Sequence, residues 1–360
     1  MSETWSPYVA WMKAAPPVAF DLRGSNLLPC GPEDLPGARN DLILHDEAEE
    51  GYEPYVEAIA GHFRVDPERV SVANGASGAN FLAYGALLSP GSEVLVERPA
   101  YDPLVGMARF LGIEVRRFER VFDEGFRLDP DRVGDALTPR TRLVVLTNPH
   151  NPTGVYTPPD VLEALGKRAE EVGARVLVDE VYLETLQGDD LPAAATLSST
   201  FISTSSLTKG YGLAGLRAGW ALADTALAES MRRVRDVVDG NGSVPSEFLA
   251  GLAFRNLDDL RKRAREILTP NMDLLREFIA SRDDVEWIPP VGGSVGFPRI
   301  RDREDATDFV TMLRERYDTG VVPGTFFEAP SHFRVALGGH RETLEAGLER
   351  LGRALDRKIV

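Results

Sequence analysis

Lys209 stands where the sequence could make a lysine amine reactive. It follows the apolar run FIST at residues 201–204 and precedes GYGLAG at 210–215, within the stretch SSLTKGYGLAGLR. GYGLAG formally matches G-x-G-x-x-G, but a dinucleotide site needs a helix that opens at the last glycine. The residues that follow, LRAGWALA, alternate in polarity and predict a strand. The lysine is therefore the better candidate for chemistry, because an activated amine can form a Schiff base with a carbonyl compound.

Other candidate residues follow apolar runs that predict strands. Near-continuous apolar runs are typical of strands buried on both faces, and hence of a mostly parallel sheet. In such a sheet, ligands bind beyond the carboxyl ends of the strands. The predicted strands are VSVA (70–73), EVLVE (93–97), RLVVLTN (142–148), RVLVDE (175–180) and FIST (201–204).

Two of these strand ends predict groups that could hold a phosphorylated ring. Small residues open a helix at NGASG (74–78), and free backbone N–H groups at a helix start suit a phosphate. A plain glycine turn is an equally good interpretation of that stretch alone. Tyr101 follows the second strand and could stack on a flat ring, although core packing would also explain an aromatic residue there.

The remaining strand ends carry polar groups at defined positions. The loop NPHNPTG (148–154) contains two Asn-Pro pairs, whose prolines restrict the backbone and could fix the amide of Asn151. Asp179 ends a strongly apolar strand, where a carboxylate is costly without a cation or donors. Tyr182, Ser206 and Arg217 lie close to these residues in sequence. Together with Lys209, this set suits pyridoxal phosphate, a phosphorylated aromatic aldehyde.

The motifs NPHNPTG, VDEVY and SSLTKGYGLAGLRAGW, in this order, resemble those of fold-type I pyridoxal-phosphate enzymes of aminotransferase class I/II. Weaker similarity extends from about residue 51 to FRVALGG at 333–339. The resemblance implies an α/β fold: a large domain with a mostly parallel central sheet flanked by helices, and a smaller α+β domain. We expect an N-terminal segment at 1–40 that joins the small domain, a large cofactor-binding domain at 41–243 and a small domain at 244–360.

The resemblance also implies roles for individual residues. Lys209 would form the Schiff base and move the proton, Asp179 would pair with the pyridine nitrogen, and Arg334 would bind the substrate carboxylate. The implied catalytic residues are Lys209, Asp179 and Tyr182. The implied cofactor-binding residues are Ala76, Ser77, Tyr101, Asn151, Asp179, Tyr182, Ser206, Lys209 and Arg217. The implied substrate-binding residues are Asn151, Arg334 and Gly24.

Two positions depart from the family pattern. Thr208 stands where many relatives have serine before the lysine, so a hydroxyl is retained. Many relatives also send a tyrosine from the partner subunit to the cofactor phosphate, but the corresponding stretch here is HDEAEE (45–50). Tyr52 is a doubtful substitute, which leaves the contact between subunits open.

The function that the resemblance implies is transfer of an amino group between an α-amino acid and a 2-oxo acid. The same chemistry supports a lyase, racemase or cyclase, so these remain alternatives. A non-catalytic sensor is a third possibility, but the chain is acidic and shows no preceding DNA-binding module. Relatives are usually homodimers with a shared active site, and we expect the same here.

Net charge and cysteine content narrow the range of expected binding partners and the expected cellular compartment. A net charge of −16 argues against nucleic acid and anionic membranes as partners. Cys30 is the single cysteine, so no disulfide forms within the chain and a cytoplasmic location is expected. Neither a signal peptide, nor a membrane-spanning stretch, nor a Cys/His metal pattern is predicted.

Overall fold

The computed structural model describes residues 5–38, 42–43, 48–186 and 191–357 of the chain. Strands and helices alternate as far as about residue 222, and a helix-rich part follows. The strands are β1 (Phe20–Asp21), β2 (Val70–Asn74), β3 (Glu93–Arg98), β4 (Glu114–Glu119), β5 (Thr141–Thr147), β6 (Arg175–Asp179), β7 (Phe201–Ser206), β8 (Ala218–Leu222), β9 (Val285–Glu286), β10 (Val295–Gly296), β11 (Arg299–Ile300), β12 (Thr319–Gly320), β13 (Val322–Pro323) and β14 (Phe333–Ala336). The α-helices are α1 (Pro7–Ala14), α2 (Glu53–Phe63), α3 (Gly75–Leu87), α4 (Asp102–Phe110), α5 (Pro130–Ala136), α6 (Pro159–Glu170), α7 (Thr225–Val238), α8 (Val244–Arg255), α9 (Leu257–Ala280), α10 (Thr307–Tyr317) and α11 (Arg341–Asp356).

Within the described ranges, the central sheet has seven strands in the order β2-β8-β7-β6-β5-β3-β4. The five strands β7, β6, β5, β3 and β4 run parallel to one another. In contrast, β8 runs antiparallel to its two neighbours, β2 and β7. The predicted mostly parallel sheet is confirmed, and the stretch after GYGLAG is the strand β8, as expected. β4 was not predicted, because its sequence EVRRFE is charged; such a sequence is tolerated on a strand at the edge of the sheet.

Both faces of this sheet are covered by helices. Val144 and Val145 are adjacent on β5, and each is fully buried in a different apolar cluster. One cluster includes residues of α3, α4 and α7, and the other includes residues of α5 and α6. Because successive side chains of a strand point to opposite faces, a strand covered on both faces reads as a continuous apolar run. This explains why β3, β5, β6 and β7 were predicted from the sequence.

The pairing of the central strands brings three polar residues into line. Thr147 is the register partner of Asp179, and Asp179 is the register partner of Thr204. The side chains of register partners point to the same face of a sheet. The loops that leave β5, β6 and β7 therefore begin at the same edge, and the residues of these loops can meet there.

The C-terminal part has its own apolar core and small sheets. Buried residues of α9, α10, α11 and β14 form one cluster, which includes Leu275, Phe309, Val335 and Leu348. In the N-terminal segment, β1 pairs in parallel with β12 of this part. GNGS at 240–243 lies between α7 and α8. The division into domains at residues 40 and 243 stays a prediction.

None of the helices in the described part of the chain has the length and apolar character needed to cross a bilayer.

Candidate active site

A cavity of about 230 Å³ lies at the carboxyl ends of β5, β6 and β7, beside the first turn of α3. Eight of the eleven residues predicted for the site line it, and Tyr182, Arg334 and Gly24 do not. Most of the predicted residues therefore converge at one place. Among the described residues, the lining consists of Ser25, Asn26, Ala76, Ser77, Tyr101, Thr147, Asn151, Asp179, Val181, Ser206, Thr208, Lys209, Ala214 and Arg217.

Lys209 reaches this cavity from the loop that follows β7. Its Nζ donates hydrogen bonds to Ser25 Oγ at 2.7 Å and to Asn26 Oδ1 at 2.8 Å. Burial and the positive charge of Arg334 lower the pKa of Lys209 to about 7, although the charge of Asp179 acts in the opposite direction. A substantial fraction of the amine is therefore neutral, and hence nucleophilic, near neutral pH.

Asp179 ends β6 as a buried carboxylate. Its Oδ2 accepts a hydrogen bond from Asn80 Nδ2 at 2.8 Å, and its Oδ1 accepts one from the backbone N–H of Val181 at 3.2 Å. Burial raises the pKa of Asp179, while these two hydrogen bonds and the charge of Lys209 lower it. The carboxylate is thus held in place and still lines the cavity.

Asn151 belongs to the NPHNPTG loop, whose backbone is fixed by buried side chains. The backbone N–H of Asn151 donates to Thr147 Oγ1 at 2.7 Å, and Thr147 Oγ1 donates to Glu97 Oε1 at 2.7 Å. On the other side of Glu97, Oε2 accepts from Arg120 Nη1 at 2.9 Å. This chain of contacts holds the start of the loop against the sheet.

Tyr101 lines the cavity with Asn151, and Tyr182 lies close enough to Tyr101 and Arg334 to interact with them electrostatically. Tyr182 is buried, and its hydroxyl makes no well-aligned hydrogen bond among the described residues, although the nearby side chains of Ser25 and Ser294 act against the burial that raises its pKa. Burial raises the pKa of Tyr182 and raises that of Tyr101 as well. A buried hydroxyl without a partner is costly, so a ligand that supplies one would be stabilised there.

The first turn of α3 and Arg217 define a positively polarised corner of the cavity. Ala76 and Ser77 lie in this first turn, where backbone N–H groups have no partner within the helix. The approach of Arg217 is close: a Cβ atom added to Gly75 would lie 2.3 Å from Arg217 Nη2. Ser206, at the end of β7, lines the same cavity. A guanidinium over a helix N-terminus is well suited to a phosphate.

Arg334 lies on β14 and is only 1% exposed. Its Nη2 donates to the hydroxyl of Tyr8 at 2.5 Å, and its Nη1 donates weakly to Asn151 Oδ1 at 3.4 Å. Its Nε has no partner within the described residues. Arg334 is thus close to Asn151, as expected, but it is covered by α1.

Gly24 is exposed between two residues that contact the site. The carbonyl of Arg23 accepts from Arg334 Nη2 at 3.4 Å, and Ser25 accepts from Lys209. No heavy atom lies within 4 Å of a Cβ added to Gly24. Gly24 is therefore adjacent in sequence to two residues that contact the site, and a side chain at its position would meet open space.

Several residues of the site were missed in the sequence. Tyr8, Ser25 and Asn26 belong to the N-terminal segment. This segment does not follow the alternation of strands and helices, so its sequence does not predict where its residues lie relative to the sheet. Asn80 was recognisable in principle. It is a buried polar residue in an otherwise largely apolar helix, and buried amides normally have a partner.

A larger opening of about 490 Å³ lies around Glu184 and Arg261. Its central carboxylate is already paired, since Glu184 Oε2 accepts from Arg261 Nε and from Tyr211 Oη, each at 2.9 Å. Glu184 Oε1 lies 3.0 Å from His62 Nε2. We place the candidate active site at the smaller cavity, because it is lined by a lysine with a lowered pKa and by a buried carboxylate.

The residues around the smaller cavity fit pyridoxal phosphate. They provide an amine for its aldehyde, a carboxylate for its ring nitrogen and, at the first turn of α3 beside Arg217, a positively polarised corner for its phosphate that a Cβ at Gly75 would fill. The sheet order, the flanking helices and this site define a fold-type I pyridoxal-phosphate enzyme.

The family follows from comparison with known proteins. The model for aminotransferase class I and II matches residues 43–351, and the chain belongs to this family. It is a pyridoxal-phosphate-dependent aminotransferase.

Three similar proteins illustrate the range of the family. The aspartate/prephenate aminotransferase of Thermus thermophilus is 32% identical over 314 residues, which cover 84% of this chain and 80% of that protein. The capreomycidine synthase of Streptomyces vinaceus is 32% identical over 321 residues, covering 88% and 82%. Among solved structures, the PLP-dependent cyclase OrfR superimposes with a TM-score of 0.88 at 30% identity and covers 99% of this chain and 98% of its own.

Proposed function

We propose that this cavity is where the chain moves an amino group between an α-amino acid and a 2-oxo acid, with Lys209 as the residue that bonds to the cofactor. The observation that carries the proposal is the position of Lys209, which shares one cavity with Asp179 and with the helix start that suits a phosphate. When bound, pyridoxal phosphate supplies an electrophilic aldehyde and a ring that stabilises negative charge at the substrate α-carbon. The protein residues bind, orient and move protons around it.

Lys209 is proposed to carry the proton at the substrate α-carbon. A general base must be neutral before it accepts a proton, and a pKa near the working pH is the most effective. The lowered pKa of Lys209, about 7, supports this role. Ser25 and Asn26 hold its amine between their side-chain oxygens, which gives Nζ a defined position when it is not bonded to the cofactor.

Asp179 is proposed to keep the ring nitrogen protonated. A carboxylate next to a pyridine nitrogen favours the charged form of the ring. Burial raises the strength of such an ion pair, because less water screens it. Asp179 is 4% exposed and held by two hydrogen bonds, which supports a fixed ion pair in this position.

The remaining cofactor contacts follow from the chemistry of the lining. Asn151 and Tyr182 are proposed to donate to the phenolic oxygen of the ring, and Tyr101 to stack on its face. The buried hydroxyl of Tyr182, which makes no well-aligned hydrogen bond within the described residues, supports the first of these contacts. The proposed phosphate ligands are Ala76, Ser77, Ser206 and Arg217.

Arg334 is proposed to bind the substrate carboxylate together with Asn151. A guanidinium can hold a carboxylate through two parallel hydrogen bonds, which also fixes the orientation of the substrate α-carbon. Burial supports this role, because Arg334 is 1% exposed and its Nε has no partner in the part of the chain that the structure describes, so an anionic partner would compensate its buried charge. Gly24 is proposed to border the same substrate site through its backbone.

A cyclase or lyase remains the second candidate. The likeness to the PLP-dependent cyclase OrfR, over 99% of this chain, favours it. Both reactions use the same cofactor and the same lysine, so the geometry of the cavity suits either. They differ in the state of the cofactor at the end of one turnover.

A single-turnover experiment distinguishes the two candidates. Protein loaded with pyridoxal phosphate is mixed with each amino acid of a panel, and the absorbance spectrum and released products are followed. An aminotransferase converts the cofactor to its amine form and releases a 2-oxo acid. Return of the original spectrum with release of ammonia, or with a cyclic product, would support the second candidate instead.

The quaternary state and the compartment are also proposals. We propose a homodimer with an active site shared between subunits, as the resemblance to the family implies. The stretch that would send a partner residue to the phosphate falls partly outside the described residues, since residues 45–47 are not among them. Sedimentation equilibrium tests the dimer directly. A cytoplasmic location is proposed from the single cysteine alone.

A further inference from the structure

A buried polar pair lies behind Asp179. Asn80 on α3 is 2% exposed and Thr204 on β7 is fully buried. The Thr204 hydroxyl donates to Asn80 Oδ1 at 2.5 Å, and Asn80 Nδ2 donates to Asp179 Oδ2 at 2.8 Å. Neither Asn80 nor Thr204 is among the described residues that line the cavity. Both can therefore act on a ligand in the cavity only through Asp179, which lines it.

Thr204 determines which way the Asn80 amide points. An asparagine side chain has a donor end and an acceptor end, and the two differ only by a flip of the amide. A hydroxyl that donates to Oδ1 places the NH₂ group on the other side, toward the carboxylate. The position of Thr204 is fixed in turn, because Thr204 is the register partner of Asp179 and points to the same face of the sheet.

The side-chain amide of Asn80 has a role beyond the packing of α3 against the sheet. A buried amide is costly unless it is hydrogen-bonded, and an apolar side chain would pack there without that cost. In this position the amide gives Asp179 a donor where no bulk water reaches. Its hydrogen bond lowers the pKa of Asp179, against the larger raising effect of burial.

We propose that Asn80, oriented by Thr204, is a positioning residue that holds Asp179 in the orientation in which it pairs with the ring nitrogen of the cofactor. The inference rests on the role proposed above for Asp179. Under this proposal α3 has two roles. Its first turn faces the phosphate, and Asn80, one turn further on, supports the Asp179 carboxylate that would face the ring nitrogen.

The test compares two cofactors across four proteins. Binding of pyridoxal phosphate, and of an analogue with carbon in place of the ring nitrogen, is measured by equilibrium dialysis. The proteins are the wild type, Asn80→Leu, Thr204→Val and the matched control Thr204→Ser, which keeps the hydroxyl. We expect Asn80→Leu to weaken binding of pyridoxal phosphate about 10- to 100-fold, as for a lost hydrogen bond to a charged group. Thr204→Val should weaken it several-fold, and Thr204→Ser should bind as the wild type does.

The analogue separates a role at the ring nitrogen from a general structural role. Because the analogue has no ring nitrogen, its binding should be the same in the wild type and in Asn80→Leu. An equal loss for both cofactors, or no loss for either, overturns the proposal. If Asn80→Leu does not fold, as judged by circular dichroism, the same comparison with Thr204→Val and Asn80→Ala decides.

A second measurement checks that Asn80 acts through Asp179. In the background of Asp179→Ala, the added change Asn80→Leu should cost no further affinity, because the carboxylate it holds is absent. Additive losses would contradict the proposal. Failure of the wild type to bond pyridoxal phosphate through Lys209 would instead contradict the proposed function, so the two failures are distinguishable.

Discussion

The hydroxyl oxygen of Tyr8 lies 2.5 Å from Nη2 of Arg334. The guanidinium carbon of Arg334 is also 5.2 Å from the centre of the Tyr8 ring and 5.0 Å from that of Phe327. The start of α1 is tied to the first turn of α4, since Asp102 Oδ2 accepts from Ser6 Oγ at 2.5 Å and from the Tyr8 N–H at 3.2 Å. The N-terminal helix thus covers the arginine proposed to bind substrate.

Tyr8→Phe should raise the KM for amino acids about tenfold, with a smaller effect on kcat. The change removes a hydrogen bond that orients a charged group, which is typically worth about 1.5–3 kcal/mol. Steady-state kinetics with an amino acid and with the matching amine, which lacks the carboxylate, provide the measurement. The amine serves as the control. An equal rise in KM for both compounds would show that Tyr8 does not act through the carboxylate site.

Asp179→Ala should lower the single-turnover rate by several powers of ten, each worth about 1.4 kcal/mol of barrier. The physical reason is that the ring nitrogen loses the charge that keeps it protonated. Asp179→Glu is the matched control, because it keeps the carboxylate and should retain more activity than the alanine variant. Stopped-flow absorbance with one amino acid measures all three rates. A wild-type rate in Asp179→Ala would rule out the role proposed for this residue.

Lys209 should react with an uncharged amine reagent near neutral pH in the cofactor-free protein. Its pKa of about 7 lies below the ordinary value, so the neutral, reactive amine increases as the pH rises through about 7. Labelling by fluorodinitrobenzene between about pH 6 and pH 8, resolved by peptide mass spectrometry, measures this. Exposed Lys167 on α6 is the internal control. Identical pH profiles for the two lysines would contradict the expected shift.

The same assay checks the cause of the shift. Arg334 lowers the pKa of Lys209 through its positive charge. Arg334→Leu should therefore move the labelling profile of Lys209 to higher pH. An unchanged profile would leave burial and the charge of Arg217 as the causes of the shift.

Gly75→Ala should weaken binding of pyridoxal phosphate at least tenfold. Gly75 has a φ of +72°, and an added Cβ would lie 2.3 Å from Arg217 Nη2, so the arginine must leave the phosphate corner. Gly78→Ala is the matched control in the same helix, since its Cβ would meet Asn74 Cβ only at 3.4 Å. Fluorescence titration with pyridoxal phosphate and with pyridoxal measures both affinities. A loss of equal size for pyridoxal would place the defect elsewhere than at the phosphate.

Arg120→Leu should lower the free energy of unfolding by about 3–5 kcal/mol, because it leaves Glu97 buried without its cation. Both side chains are fully buried, and burial raises the pKa of Glu97 to about 7. Urea denaturation of the cofactor-free protein measures the change. Arg168→Gln, which breaks an ion pair on the surface, is the control and should have little effect. A small effect of Arg120→Leu would mean that the buried pair contributes little to the folded state.

The sequence predicted the part of the fold that is buried on both faces. Strands such as β5 and β6 are apolar throughout, so their type and their carboxyl ends could be read directly. That is why Asp179 and Asn151 were assigned to one edge of the sheet, and the structure places both in the lining of one cavity. The charged edge strand β4 gave no such signal.

The residues that the sequence did not reveal are those whose position depends on distant contacts. Tyr8 reaches Arg334 across 326 positions of the chain, and Ser25 reaches Lys209 across 184. Local periodicity contains no information about such contacts. Asn80 is different, because its place in a largely apolar helix can be read from the sequence, whereas its partners Asp179 and Thr204 cannot.

The alignment of Thr147, Asp179 and Thr204 on three adjacent strands also limits how this chain can vary in length. Inserting one residue into β7 just before Thr204 would turn the hydroxyl to the opposite side of the sheet. In the loops beyond these strands, one added residue does not move a strand side chain to the opposite face of the sheet. Inside β6 and β7 it does, and a point substitution does not. Single-residue insertions in these strands should therefore be far more harmful than point substitutions at the same positions, a contrast that an insertion library would reveal.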